Sequence, residues 1–447
     1  MRKSILYVMA VLVILSMVLT ACGTAATQAP AAGATQAPAA SGEKVTLRVL
    51  VHQNPPMVAF MEEFNKKFQE KYPNVTVDMA VVNANDLSTV TQTRLTANDV
   101  DVIDIFGFAN GAQPYMKSVD APNWQQLIEA GLLMDITDQP FTKNYDEATL
   151  KDAGSYNGKV YAINLGRVSY SGIYYNKDLF AANNVAVPTT WSELVTACET
   201  FVAAGIPCMT AGGKDGWPIF VGAYGLIGSI YPDQAALVEG LWTGTIKWND
   251  EKSLGMWEKM QIYARDMMEP GASGVAGDAA PGRFASGAVA MFPGGTWYAP
   301  AIEAAEPAFD WGYIPFPGSD NPEDNKYLFG KYDQGWAIAA KTPNKEAAIN
   351  YLTEFSAPEN YQAFANAVGF IPTQPTAKLD TKIGAEVAPY LANFRVGYEQ
   401  YWVAPKGAGQ FANPWASYFA PFGTYTDPKE LADKVQADLQ AGLDAVK

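Results

Sequence analysis

The sequence predicts an α/β protein of two lobes. Three observations carry this: apolar β-branched strands alternate with amphipathic helices, the pattern restarts in the second half, and the body from about residue 43 is too long for one simple core. The first strand covers 45–51, "VTLRVLV", with alternating β-branched residues. After Pro55 and Pro56, Met57, Phe60, Met61, Phe64 and Phe68 recur at helical spacing up to about Pro73. A second strand follows over 75–82, a helix over about 86–96, and a third strand over 100–106. In the second half, Thr190 and Glu193 form a capping-box pattern before a helix bearing Trp191, Leu194, Val195, Cys198 and Phe201, which stops at Gly205. Segments 206–211, 288–292, 311–316 and 335–340 read as strands. Asp427, Pro428 and Glu430 open a terminal helix with the stripe Leu431, Val435, Leu439 and Leu443. Strands followed by helices imply a mostly parallel sheet flanked by helices in each lobe.

The two ends of the chain differ in character. Arg2 and Lys3 precede an apolar run over 5–19, the size of a secretory core and short for a membrane span. Residues 1–21 therefore read as a signal peptide. "LTAC" ends in Cys22, which resembles a bacterial lipidation site. Residues 22–42 repeat "ATQAPAA" and contain nothing that builds a core, so they form a tether, spanning about 25 Å as a coil. Localisation is expected to be extracytoplasmic, anchored to the cell membrane through Cys22. Once Arg2 and Lys3 are removed, 29 basic side chains face 46 acidic ones, a net charge of −17. Nucleic acid is a poor partner for such a chain. Cys198 and Cys208 are either a disulfide or two buried thiols; sequence alone does not place their Cα atoms.

The chemistry reads as binding rather than catalysis. The chain has one histidine, His52, and lacks G-x-S-x-G, H-E-x-x-H, C-x-x-C and P-loop patterns; "GAGQFA" matches a dinucleotide fingerprint only weakly. No catalytic residue, metal ligand or cofactor is expected. A glycoside-acting enzyme needs only two carboxylates, with Asp104, Asp215 and Asp333 as candidates, and a surface adhesin would also explain the anchor. These are the alternatives. Open α/β sheets bind ligands at strand ends. Those ends carry His52 and Asn54; Asp104, Phe106, Phe108 and Asn110; Asp215 and Trp217; Trp297; and Asp333 and Trp336, with Trp415 a further candidate in "FANPW". Such loops on two facing lobes would line a cleft.

"NGKVYA", "GIYYNKDLF", "PTTWSEL", "FASGAVAMFPGGTW", "GWAIAAKTPNKEAAINYLTEF" and "GFIPTQP" occur in this order behind the lipidation site and tether. The chain thus resembles family 1 extracellular solute-binding proteins, the carbohydrate-binding components of ABC importers, over nearly all of 43–447. The resemblance implies a periplasmic-binding-protein-like fold of two discontinuous lobes, 43–165 plus 332–372 and 166–331 plus 373–447, with the ligand cleft between them. It implies a sugar or oligosaccharide ligand, importer permease subunits as partners, a monomer and no catalysis. It places Trp297 as a stacking platform, with Asp215 and Trp217 as a polar-aromatic pair in the cleft. The family commonly has "YA-x-P", whereas Asn164 stands at the proline here. Arg167, Ser169 and Tyr170 follow, at positions where relatives contact ligand. Of these, Tyr170 is the strongest ligand candidate, and Arg167 either favours an acidic sugar or pairs with a surface carboxylate.

Overall fold

The computed structural model describes residues 43–108 and 111–447. The leader, the tether, Cys22 and Asn110 lie outside the described residues. The chain opens with β1 (Val45–His52), α1 (Pro55–Lys71), β2 (Val75–Val82), α2 (Leu87–Thr96), β3 (Val102–Phe106) and α3 (Asn123–Glu129). A short hairpin of β4 (Ser155–Tyr156) and β5 (Lys159–Val160) precedes β6 (Ala162–Asn164), β7 (Arg167–Ser169) and β8 (Gly172–Asn176). After a largely helical stretch come β9 (Met291–Gly294), β10 (Trp311–Pro315), β11 (Leu328–Tyr332), β12 (Gln334–Ile338) and β13 (Phe394–Val396).

The first lobe is built on a five-stranded sheet in the order β2-β1-β3-β12-β6. α1 forms where expected because Met57, Met61, Phe64 and Phe68 fall on one buried face. The side chain of Asn54 caps it, accepting from the Met57 N–H at 3.2 Å. The second lobe centres on a three-stranded sheet, β10-β8-β9, and its helices include Trp191–Ala203, whose Thr190–Glu193 capping box is formed. The terminal helix Pro428–Ala445 buries Leu431, Val435, Leu439 and Leu443 and is capped by Asp427.

Pairing directions are more mixed than the sequence suggests. β1 runs parallel to β2 and β3, as helix crossovers require. β12 is antiparallel to both β3 and β6, and β8 is antiparallel to both β9 and β10. β12 and β8 each follow directly on a segment arriving from the other lobe, so each runs against neighbours laid down by local crossovers. Segment 206–211, expected as a strand, contributes only bridges from Met209 to Met268 and Met291. Pro207 has no N–H to continue a ladder there.

The lobes meet at a small sheet, β13-β11-β7. Arg167 is its hub: it pairs with Tyr332 of β11 and exchanges two backbone hydrogen bonds with Ile371, both 2.8 Å. Three chain crossings therefore touch at one residue. Gly166 precedes it with φ +151°, and a Cβ there would lie 2.8 Å from the Cβ of Phe370. Only glycine lets the first crossing lie this close to the third.

Cys198 and Cys208 are joined as a disulfide, Cα atoms 5.0 Å apart, which ties the helix Trp191–Ala203 to the segment behind it. The closed loop is short, so its entropic contribution is about 3 kcal/mol. Replacing both cysteines with serine is expected to lower unfolding free energy by about that amount in a denaturant titration. Unchanged stability would mean the bond constrains nothing in the unfolded chain.

Candidate ligand-binding cleft

A cavity of about 480 Å³ lies between the lobes. The first lobe contributes His52, Gln53 and Asn54 from the end of β1, Asn85, Ser88 and Thr91 around α2, Phe106 from the end of β3, and Asn123 and Trp124 from the start of α3. The second lobe contributes Tyr170, Trp217, Phe220, Asp278, Trp297, Tyr298 and Glu399. Lys331, Tyr332, Asp333 and Gln334 come from the β11–β12 crossing and complete the floor.

The second-lobe wall is aromatic. The Trp297 ring centroid is 5.3 Å from Tyr298 and 6.2 Å from Trp217, and Trp217 lies nearly parallel to Tyr298 at 6.3 Å. Gly295 makes this packing possible: a Cβ at that position would fall 1.8 Å from the Trp297 indole. Phe220 also faces the cleft and is backed by Trp415, stacked at 5.0 Å. In the first lobe, Trp124 is stacked on Phe108 with centroids 4.6 Å apart.

The floor is polar and charged. His52 Nδ1–H donates to Asp104 Oδ2 at 2.7 Å. The Gln334 side-chain nitrogen lies over the same ring, 2.9 Å from His52 Nδ1 and 3.1 Å from Nε2, and donates to Nε2 when the ring is neutral. Burial opposes charge on His52, but the Asp104 carboxylate outweighs it and raises the imidazole above its ordinary range. Lys331 Nζ sits 3.0 Å from Glu399 and 3.2 Å from Asp333. Burial works against its charge, yet the two carboxylates hold its pKa well above that of a free lysine. The Asp333 backbone accepts from Gly107 N–H and donates to Gly166 carbonyl, so this ion cluster is fixed to both the first lobe and the crossing.

Aromatic faces opposed to hydrogen-bonding groups, in a cleft between two α/β lobes, describe a ligand-trapping protein. Residues 53–362 match the model of the bacterial extracellular solute-binding protein family. The chain belongs to this family. A multiple sugar-binding protein of Streptococcus mutans is 28% identical over 329 residues, 71% of this chain and 73% of the relative. An uncharacterized ABC transporter extracellular-binding protein of Pyrococcus horikoshii is 24% identical over 324 residues, 68% of each chain. Among solved structures, the solute-binding protein RafE in complex with raffinose superposes with a TM-score of 0.71 at 22% identity, covering 90% of this chain and 99% of that one. A chitin oligosaccharide binding protein gives 0.71 at 21% identity, covering 90% and 100%. The fold is thus the two-lobed, periplasmic-binding-protein-like one.

In this solute-binding protein, seven of the residues expected in the cleft line it: His52, Asn54, Phe106, Tyr170, Trp217, Trp297 and Asp333. Six others lie away from its lining. Asp104 is fully buried behind His52, and Trp336 is fully buried against Tyr351 and Phe355. Register explains both: Gln334 pairs with Phe106 at the lip, whereas Trp336 pairs with Asp104 two residues deeper. Phe108 is buried beneath Trp124 rather than lining the cavity. Ser169 is buried, its hydroxyl donating to the Phe329 carbonyl at 3.3 Å. Asp215 is exposed and accepts from the Gly277 N–H at 2.6 Å, bracing a neighbouring loop. The Arg167 guanidinium lies over the Phe394 ring at 5.0 Å, and Arg167 is not among the residues that line the cavity. Asn110 lies outside the described residues.

Sequence reasoning missed Gln53, Trp124, Asp278, Tyr298, Lys331, Gln334 and Glu399. Gln53, Lys331 and Gln334 fall inside the strand-end segments 52–54 and 331–336 without being singled out, and Tyr298 lies one residue beyond the segment 292–297. Asp278 and Glu399 sit on short helical turns that carry no strand-end signal.

At the cleft mouth Gln53 Nε2 donates to Asp278 Oδ2 at 3.0 Å, joining the end of β1 to the second lobe. Gln53→Ala removes a contact that exists only when the lobes are close. We expect about a fivefold loss in ligand affinity and a larger radius of gyration without ligand in small-angle scattering. Equal radii and affinities for the two proteins would show that the bond does not bias closure.

Proposed function

We propose that this chain is a carbohydrate receptor, capturing a sugar or oligosaccharide between its lobes and delivering it to the membrane subunits of an ABC importer. The observation that carries the reading is the cleft itself: a tryptophan-rich wall faces a floor of amides, carboxylates and one lysine. A pyranose has apolar C–H faces and polar edges, so aromatic rings and planar hydrogen-bonding groups match it together. The sugar ligands of similar solved structures, raffinose and chitin oligosaccharide among them, support the same class. Lobe closure, not bond-breaking, is the functional event in this proposal. Family membership supports an extracellular site of action, and no helix among the described residues is long and apolar enough to cross a membrane.

The finer parts of the proposal are lipid anchoring at Cys22, monomeric action, and lobe boundaries at 43–165 with 332–372 and 166–331 with 373–447. Thermal unfolding in the presence of sugars, amino acids and short peptides tests the ligand class. A sugar at a hundred times Kd stabilises the fold by about 2.7 kcal/mol. Stabilisation by amino acids or peptides and by no sugar would refute the carbohydrate reading.

A further inference from the structure

Lys331 is the one lysine or arginine among the lining residues, and it is already engaged by Asp333 and Glu399, at 3.2 and 3.0 Å. A third acid, Asp278, stands at the mouth with its carboxylate exposed beside Gln53. The lining therefore holds three carboxylates against one lysine and His52, whose ring is offset by the Asp104 carboxylate behind it. Arg167, the nearest sequence candidate for an anion partner, is turned onto Phe394.

Backbone N–H groups at the cleft are partly removed or countered by acid. Three helices of eight residues or more begin at the cleft: α1, α2 and Trp217–Ile230. Helix starts ordinarily favour negative charge through free N–H groups and the macrodipole. Here α1 begins with Pro55 and Pro56, which have no N–H, and its Met57 N–H is taken by Asn54. The helix Trp217–Ile230 carries Pro218 in its first turn. α2 follows Asp86, whose own carboxylate lies at the helix start. The whole chain adds to this field, with 46 acidic side chains against 31 basic ones.

We propose that the cleft accepts uncharged sugars and rejects their uronic-acid counterparts, with the Lys331–Asp333–Glu399 cluster and Asp278 as the groups that set this charge selectivity. Lys331 then acts as a hydrogen-bond donor fixed in place, not as a free cation. A carboxylate entering the cleft would face net negative charge at short range, in a site screened less than bulk water. This inference rests on the carbohydrate reading.

The test is calorimetric titration of the full-length protein with matched pairs: galactotriose against trigalacturonate, and xylotriose against a xylobiose bearing glucuronic acid. We expect at least one neutral sugar to bind and its acidic partner to bind at least about thirtyfold more weakly. We also expect the gap to narrow in about 0.5 M salt and in Asp278→Asn, which keeps an acceptor for Gln53. An acidic partner bound within threefold of its neutral counterpart, or more tightly, overturns the charge selectivity while leaving the carbohydrate reading intact. A gap that neither salt nor Asp278→Asn changes also overturns it, because shape alone would then explain the preference. Binding of amino acids or peptides and of no sugar overturns the carbohydrate reading and the inference with it.

Discussion

Trp297→Ala is expected to weaken carbohydrate binding by about 2 kcal/mol, roughly thirtyfold in Kd. The indole lies on the cleft wall, held between Trp217 and Tyr298 and accommodated by Gly295. Removing it takes away the largest apolar face a sugar ring can cover and loosens its two aromatic neighbours. Trp297 also packs on the cores of both lobes, so the alanine variant loses folding stability, about 3 kcal/mol for a large aromatic. The two effects separate experimentally. Trp297→Phe keeps most of the packing and a smaller stacking face, so it should bind several-fold more weakly with little change in the melting of the unliganded protein. Gly295→Ala should act in the opposite way, leaving the indole present but displaced, with φ at this residue ordinary and the effect purely steric. If Trp297→Ala unfolds more easily yet binds with unchanged Kd, the residue is core only.

Asp101→Ala should cost about 3 kcal/mol of unfolding free energy, the scale for removing one partner of a buried charge network. Asp101 is fully buried at the entry to β3. Its carboxylate accepts from the Arg48 N–H, Nε and Nη2 at 2.8–3.0 Å, from Thr342 Oγ1 at 2.6 Å and from Asn344 Nδ2 at 3.2 Å. It therefore links β1 and β3 to the turn after β12. Burial pushes its pKa up, but Arg48, Thr342 and Asn344 more than reverse this, and the carboxyl is held below its ordinary range. A depressed folded pKa gives stability that is fully present above the unfolded value of about 3.9 and is lost as pH falls through the folded value. The difference in unfolding free energy between wild type and Asp101→Ala should thus be constant near neutrality and shrink below about pH 4. A difference that persists unchanged at low pH would assign the loss to packing rather than to the charge.

Much of the fold was legible because its elements bury one face. The α1 stripe, the Thr190–Glu193 box and the Asp427 cap each tie a local pattern to a boundary seen in the structure. Pairing direction was not legible, because it depends on which strand returns from the other lobe, a long-range property with no local mark. The cleft was half legible for a related reason. Strand ends named the right neighbourhoods, but depth within a strand decides exposure: Phe106 at the tip of β3 lines the cleft, while Asp104 two residues back is sealed under His52. The pairing of Lys331 with Glu399 was not legible because it is created by the crossing strands and a short turn that are far apart in sequence.

A crystal structure of the full chain grown with the neutral sugar that stabilises it most tests the interlobe carbohydrate site most directly. One sugar is expected in the interlobe cleft, a ring face against Trp297, and hydroxyls hydrogen-bonded to the floor around Lys331, Asp333 and Gln334. A sugar bound elsewhere, or a cleft occupied by a non-carbohydrate ligand carried through purification, would contradict it.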